Sequence, residues 1–151
     1  MFSARENDGS ISQIKKFMDG SYKVGIAVSL DAVGVRDVAL AHIAGMGKPE
    51  ASGRHLCVAE VCSLKDIGDA VTKNHPQFPG VKYVLPKALA YLLGPLALGM
   101  PVSKVRTTIG RPPIMDNSKI KRELGIEFNS LQQMVDDMLD SMEVKGMLAI
   151  K

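Results

Sequence analysis

Val33-Gly34-Val35-Arg36-Asp37-Val38-Ala39-Leu40-Ala41-His42 is the stretch whose reading decides the fold. Val33 and Val35 have the period-2 placement of a half-buried strand. Val38, Ala41, His42 and Met46 then follow helical spacing, and Asp37 stands where a carboxylate favours a helix N-terminus. The stretch therefore reads as a strand running straight into a helix that ends near Gly45-Met46-Gly47.

Upstream, residues 1–9 read as a polar loop. Ser10-Ile11-Ser12-Gln13 has the form of a capping box. Ile11, Ile14, Phe17 and Met18 make one apolar stripe, and Gly20 ends that helix. Residues 21–32 read as irregular or weakly extended. Downstream, Lys48 to Gly53 is a turn and Arg54 to Ala59 a strand, with Leu56 and Val58 facing one way. Ser63-Leu64-Lys65-Asp66 is a second capping box, opening a helix to about Asn74. Tyr83-Val84-Leu85 reads as a short strand. Lys87 to Leu93 reads as a helix stopped by Gly94-Pro95, and residues 99–110 as a loop. After an extended Pro112 to Met115, Asp116 caps a helix from Asn117 to Leu124, closed by Gly125. Ser130-Leu131-Gln132-Gln133 is a third capping box. The helix it opens carries Leu131, Met134, Val135, Met138, Leu139 and Met142 on one face, where the methionines read as core filler. Asp136, Asp137 and Asp140 fall on the other and read as exposed solubility charges. Short strands separated by helices, with no repeat, give an α/β class with a few short strands, in one domain over 1–151.

The 151 residues are 46% hydrophobic and 23% charged, which suits a single core, and the net charge of +3 is too small to imply nucleic acid by itself. The basic residues Lys104, Arg106, Arg111, Lys119, Lys121 and Arg122 have no aromatic interleaving, which argues against nucleic acid. The apolar run Ala88 to Val102 is too short for a bilayer and is interrupted by Gly94-Pro95 and Gly99, which argues against a membrane span. Cys57 and Cys62 lack CxxC spacing and read as reduced thiols of a cytoplasmic protein.

Tests for catalytic chemistry return little. No GxGxxG is present. Tyr83 and Lys87 match Tyr-x-x-x-Lys in letters, but Pro86 cannot lie inside the helix that chemistry needs. His42, His55 and His75 fall on three elements without metal-ligand spacing, so no metal site is expected. His42 reads as bonded to a neighbouring carbonyl or carboxylate. Arg111, held between Gly110 and two prolines, reads either as a holder of a phosphate or carboxylate, or as a surface arginine paired with an acid.

Several segments, taken in order, carry a resemblance: Val35-Arg36-Asp37-Val38-Ala39 with Ala41-His42-Ile43, Lys48-Pro49-Glu50-Ala51-Ser52-Gly53-Arg54, Ser118-Lys119 with Arg122-Glu123-Leu124-Gly125-Ile126, and Lys145-Gly146-Met147-Leu148. The chain resembles the C-terminal, substrate-binding half of an extended short-chain dehydrogenase/reductase of the dihydroflavonol reductase, cinnamoyl-CoA reductase and aldehyde reductase group. The resemblance implies an NAD(P)H-dependent carbonyl reductase whose cofactor loop and catalytic Tyr-x-x-x-Lys helix lie in an N-terminal part outside these residues. A truncated lobe of that kind holds no catalytic residue, binds no cofactor by itself and is inactive alone. NADP or NAD serves the complete enzyme, and the substrate is a small carbonyl compound.

By position in the family, Ile26 and Asp31 line the substrate pocket, and Asn7 and Asp8 lie in the loop leading into it. The family strand matching Arg54 to Val58 joins the edge of the large sheet. Without that sheet its backbone needs covering, by self-association, by a refolded pairing or by the N-terminal half. The alternative reading is a non-enzymatic binding or interaction protein that kept the lobe.

Overall fold

The computed structural model describes residues 9–98 and 109–147, apart from the side chains of 93–98. The described elements, in order, are α1 (Ser10–Met18), β1 (Val24–Gly25), β2 (Ser29–Ala32), α2 (Val35–Gly47), β3 (Glu60–Ser63), α3 (Leu64–Asn74), β4 (Tyr83–Val84), α4 (Lys87–Leu98), α5 (Ser118–Leu124) and α6 (Leu131–Val144). The α/β class holds, with helices dominating and strands of two to four residues.

The main core lies between three helices. Ile11, Ile14 and Phe17 of α1 meet Ala70 and Val71 of α3 and Val135, Leu139 and Met142 of α6, with Phe78 and Val81 closing one end. The sequence set this layer up through apolar stripes at helical spacing. The expected capping boxes are present on two of the helices. Ser63 Oγ accepts from Asp66 N at 3.1 Å while the Asp66 carboxylate accepts from Ser63 N at 2.8 Å. Ser130 Oγ and Gln133 make the same exchange at the start of α6. Gly20, at φ 77°, and Gly125, at φ 70°, close α1 and α5 in the left-handed conformation that favours glycine.

A second, smaller cluster joins Ala41 of α2 to Ile120, Leu124 and Ile126. A third joins Ala90 and Ile109, with Ile26 and Leu85 against them. Two separate two-stranded sheets tie these clusters together. β1 pairs in parallel with β4, and β2 pairs antiparallel with β3 in the register Ser29↔Ser63 to Ala32↔Glu60.

Several local expectations are corrected. Ser10 does not build a capping box: it is already helical, Gly9 precedes it, and no side chain caps that end. The strand before the central helix is Ser29–Ala32, not Val33 to Val35; Gly34 is the extended residue before α2, and Val35 begins the helix largely exposed. The buried face of α2 is Asp37 and Ala41, backed by Ala44, whereas His42 is exposed and Met46 is 88% exposed. Helical spacing had identified the element but not the side it buries.

The expected strand Arg54 to Ala59 forms no ladder, and the strand begins directly after it at Glu60–Ser63. Pairing with β2 selected the register. Only Ala59 joins it early, donating to Ala32 O at 2.8 Å. Leu56 and Val58 do not share an environment, the first exposed and the second buried. Side chains cover part of this backbone. Asn117 Nδ2 donates to Val58 O at 2.7 Å and Lys119 Nζ to Ser52 O at 2.7 Å.

α4 runs on past Gly94-Pro95 to Leu98; proline deletes one helix bond but keeps a helical φ. Asp116 acts one residue outside the cap of α5: its carboxylate accepts from Ser118 N at 2.9 Å, while Asn117 occupies the cap position. Asp136 and Asp137 are half-buried rather than free surface charges; Asp136 accepts from Asn74 and Gln132, and Asp137 pairs with Arg36. The expectations placed on residues 1–8, 99–108 and Leu148 lie outside the described residues.

Candidate functional site

Side chains of Asp37 and Arg36 tie the corner at Gly34–Val35 to its surroundings, and His42 bonds within α2. Asp37, 1% exposed, accepts from Asn129 Nδ2 at 2.7 Å and from Asn129 N at 3.1 Å. Arg36 reaches Asp137 of α6 at 3.5 Å. His42 Nδ1 lies 2.7 Å from Val38 O, the local carbonyl bond expected of it. Gly34 is packed tightly here: a Cβ on it would stand 3.1 Å from Asp37 Oδ2 and 3.3 Å from Met134 Cγ. The motif residues thus anchor the start of α2 onto the loop and first turns of α6.

Beside this corner lies a groove of about 680 Å³, a size typical of small-molecule sites. Leu30 to Arg36 form one wall, α1 another, and the first turns of α6 a third. Ile14, Phe17, Ile67, Met134 and Met138 make it chiefly apolar. Among the described residues, its lining includes the charged residues Asp31, Arg36 and Asp137.

Of the four residues expected to touch substrate, Asp31 lines this groove. Ile26 packs instead against Ala90 and Ile109, in a different cluster. Asn7 and Asp8 lie outside the described residues. Arg36, Asn129, Met134 and Asp137 meet at the site without having been singled out for it. Asp37 and Asn129 are 92 positions apart, so no local pattern in the chain links them. Asp137 was visible only as one acid in a run of helix charges.

Cys62, buried on β3, also lines the groove, and its Sγ donates to Leu30 O at 3.6 Å. Burial, and then the negative charges of Glu60, Asp66 and Asp31, push its thiol up to about 11. It is therefore a poor nucleophile. Cys57 is likewise raised, by burial and then by Asp37.

Elsewhere, Glu123 receives His55 Nε2 at 2.8 Å, and that hydrogen bond lowers its carboxyl pKa. Lys48 and Lys119 reach across to Glu123 O and Ser52 O, so this cluster staples α5 to the turn after α2. Tyr83 lies in β4 and Lys87 begins α4, with Lys87 Nζ donating to Gly110 O at 3.4 Å. The two are not a turn apart on one helix, in keeping with Pro86 between them. Arg111 is exposed and forms no ion pair among the described residues, so the acid expected beside it is not found.

No protein-family model matches the chain. Curated relatives do. Cinnamoyl-CoA reductase 1 of Petunia hybrida is 34% identical over 144 residues, covering 95% of this chain and 37% of the relative. Ketoreductase azaE of Aspergillus niger is 34% identical over 134 residues, covering 85% and 34%. The NADPH-dependent methylglyoxal reductase GRE2 of Saccharomyces cerevisiae is 31% identical over 107 residues, covering 70% and 27%. Among solved structures, gox2253 superposes with a TM-score of 0.71 at 16% identity, over 96% of this chain and 47% of that one. Vestitone reductase from alfalfa superposes with a TM-score of 0.62 at 18% identity, over 95% and 40%. The chain spans little more than a third of the length of the curated relatives it matches. It belongs, over that part of their length, to the extended short-chain dehydrogenase/reductases of the cinnamoyl-CoA reductase type, and corresponds to their C-terminal portion.

Proposed function

We propose that the chain forms the substrate-side lobe of an NADPH-dependent carbonyl reductase. The observation that carries this reading is the groove itself, which is built against the motif residues Val33 to Arg36 and lined by Asp31. Its apolar walls hold the body of a small aldehyde or ketone, with Asp31 among the lining residues. Ile26 acts indirectly, by packing the strand that leads to Ser29–Ala32. Asn7 and Asp8 remain candidates for the mouth of the pocket.

Hydride transfer needs a nicotinamide and a proton donor, which the family resemblance puts in the part of the relatives that this chain does not match. The chain alone is therefore inactive, and with a complementing cofactor domain it restores turnover, with NADPH the expected hydride source in the cytoplasm. NADPH consumption with a panel of aldehydes and ketones tests this. Turnover by the purified chain alone would refute the claim of inactivity. No gain on co-expression with the residues of the Petunia relative that this chain does not match would count against the lobe assignment.

A specific observation favours a second reading, a non-enzymatic interaction protein. Val35, Leu40, Ile43 and Met46 leave the outer side of α2 apolar and exposed, and the backbone N–H groups of residues 54–58 take no partner among the described residues. Such surfaces favour self-association or capture by the cofactor domain. Light scattering over a range of concentrations discriminates: a monomer throughout would count against an interaction role.

A further inference from the structure

The outer side of α2 has a pattern that matches itself. Val35, Ile43 and Met46 are 79%, 65% and 88% exposed, and Ala39 and Gly47 are open beside them. Val35, Ala39, Ile43 and Gly47 follow at four-residue spacing and form one ridge that alternates large and small. A Cβ placed on Gly47 meets nothing within 4 Å among the described residues, so there is room in front of that position. Helices most often pack with such ridges running alongside each other, at a crossing angle of about −50°. When a second copy of α2 crosses in the antiparallel sense about a twofold axis near Ala41, Val35 lies beside Gly47 and Ala39 beside Ile43. Large then meets small along the whole contact, as tight packing requires. Charge agrees with the same arrangement. The acidic and basic residues of α2 are Arg36 at its start and the buried Asp37, and its last turn holds no basic residue. Antiparallel pairing brings each Arg36 towards the C-terminal end of the other helix, where unpaired carbonyls favour a cation, and keeps the two arginines apart. The contact of Arg36 with Asp137, at 3.5 Å, leaves its side chain 70% exposed.

We infer that the outer side of α2 is covered by α2 of a second copy of this chain, antiparallel across a twofold axis near Ala41. This rests on the second reading, in which that side is an interaction surface, and it names the occupant and the register. An apolar patch on the order of 500 Å² per copy gives about 1,000 Å² in a symmetric pair, the floor of specific interfaces, so the dimer is a weak one.

The test is sedimentation equilibrium of the full 151-residue chain over a range of concentrations. The expected result is monomer passing to dimer and nothing larger, because a twofold pair closes on itself. Gly47→Leu adds apolar surface, so general stickiness predicts tighter association; the register predicts the opposite, about tenfold weaker, because the new side chain meets Val35 of the other copy. Adding Val35→Ala to that variant should recover most of the loss. Far-ultraviolet circular dichroism checks that each variant keeps its helices. Ile43→Glu, at an exposed position, should leave the chain monomeric and serves if Gly47→Leu does not fold. Tighter association of Gly47→Leu, or no recovery with Val35→Ala, would overturn the inference. A dimer indifferent to Ile43→Glu would overturn it and leave the second reading standing, since another surface would then be the interface. A monomer at every concentration would sink both. A monomer that instead binds the residues of the Petunia relative which this chain does not match, and loses that binding in Ile43→Glu, would assign the face to a cofactor domain and overturn the inference.

Discussion

Replacing Asp37 by alanine removes the carboxylate that holds the start of α2 to the loop before α6. The native group is 1% exposed and takes two donors from Asn129, at 2.7 and 3.1 Å. Hydrogen bonds to a charged group contribute about 1.5–3 kcal/mol each, and a donor stranded by the truncation costs about 1–3 kcal/mol. The two bonds share one acceptor group, and water can reach the loop side once the carboxylate is gone, so the separate figures do not simply add. The expected loss is about 3 kcal/mol, or roughly 10 °C in Tm for a chain of this length. Urea unfolding followed by far-ultraviolet circular dichroism measures it directly. Asn129→Ala keeps the backbone donor and should cost less. The double variant should show coupling of at least about 1 kcal/mol, since the pair acts as one contact. A loss below about 1 kcal/mol for Asp37→Ala, or simple additivity with Asn129→Ala, would refute the claim that this contact fixes the corner.

Other consequences are open to measurement. Gly68→Ala should destabilise by about 1–3 kcal/mol in urea, because the new Cβ would stand 2.9 Å from Val81 Cγ2 and 3.0 Å from the Val81 backbone nitrogen. Ser63→Ala should cost about 1 kcal/mol by removing the cap of α3, read from the same unfolding curves. The Glu123 carboxyl is held low, first by its hydrogen bond to His55 and then by Lys119. Its contribution to stability is therefore present above the ordinary glutamate value of about 4.3 and is lost as pH falls through the lowered one. A Glu123→Gln chain should show a shallower acid limb in its stability–pH curve. Cys62, with its thiol near 11, should resist iodoacetamide at pH 8 in the folded chain and react on unfolding. Mass spectrometry of the labelled peptides reads that difference.

Much of this molecule was legible from the chain because the deciding interactions are short in sequence. The capping boxes at Ser63 and Ser130 close over three residues, and the closures at Gly20 and Gly125 need only a local left-handed residue. The apolar stripes of α1 and α6 are periodic, so their buried faces could be counted off before any contact was known. The bond of His42 to a neighbouring carbonyl is also local, reaching Val38 O one turn back. Where sequence reasoning went astray, a distant partner had decided the outcome. The strand after α2 formed at Glu60–Ser63 because β2 offered its edge there, and residues 54–58 stayed unpaired although their composition suits a strand just as well.

The groove marks the same boundary. Sequence could place Asp31 on the approach to the central helix, and the resemblance could attach a substrate to it. It could not bring in Met134, Asp137 or Asn129, because these arrive from a helix about a hundred positions away. Nor could it say which side of α2 faces inward: with apolar residues all round that helix, periodicity is mute, and the choice fell to Asp37 finding Asn129. The chain by itself determined the α/β class, the capping boxes of α3 and α6, and the family to which Val33–His42 belongs, because propensity, capping and periodic burial act over a few residues. Only the tertiary structure decided the strand register, the buried face of α2 and the groove, because pairing and packing depend on groups that meet in space and not along the chain.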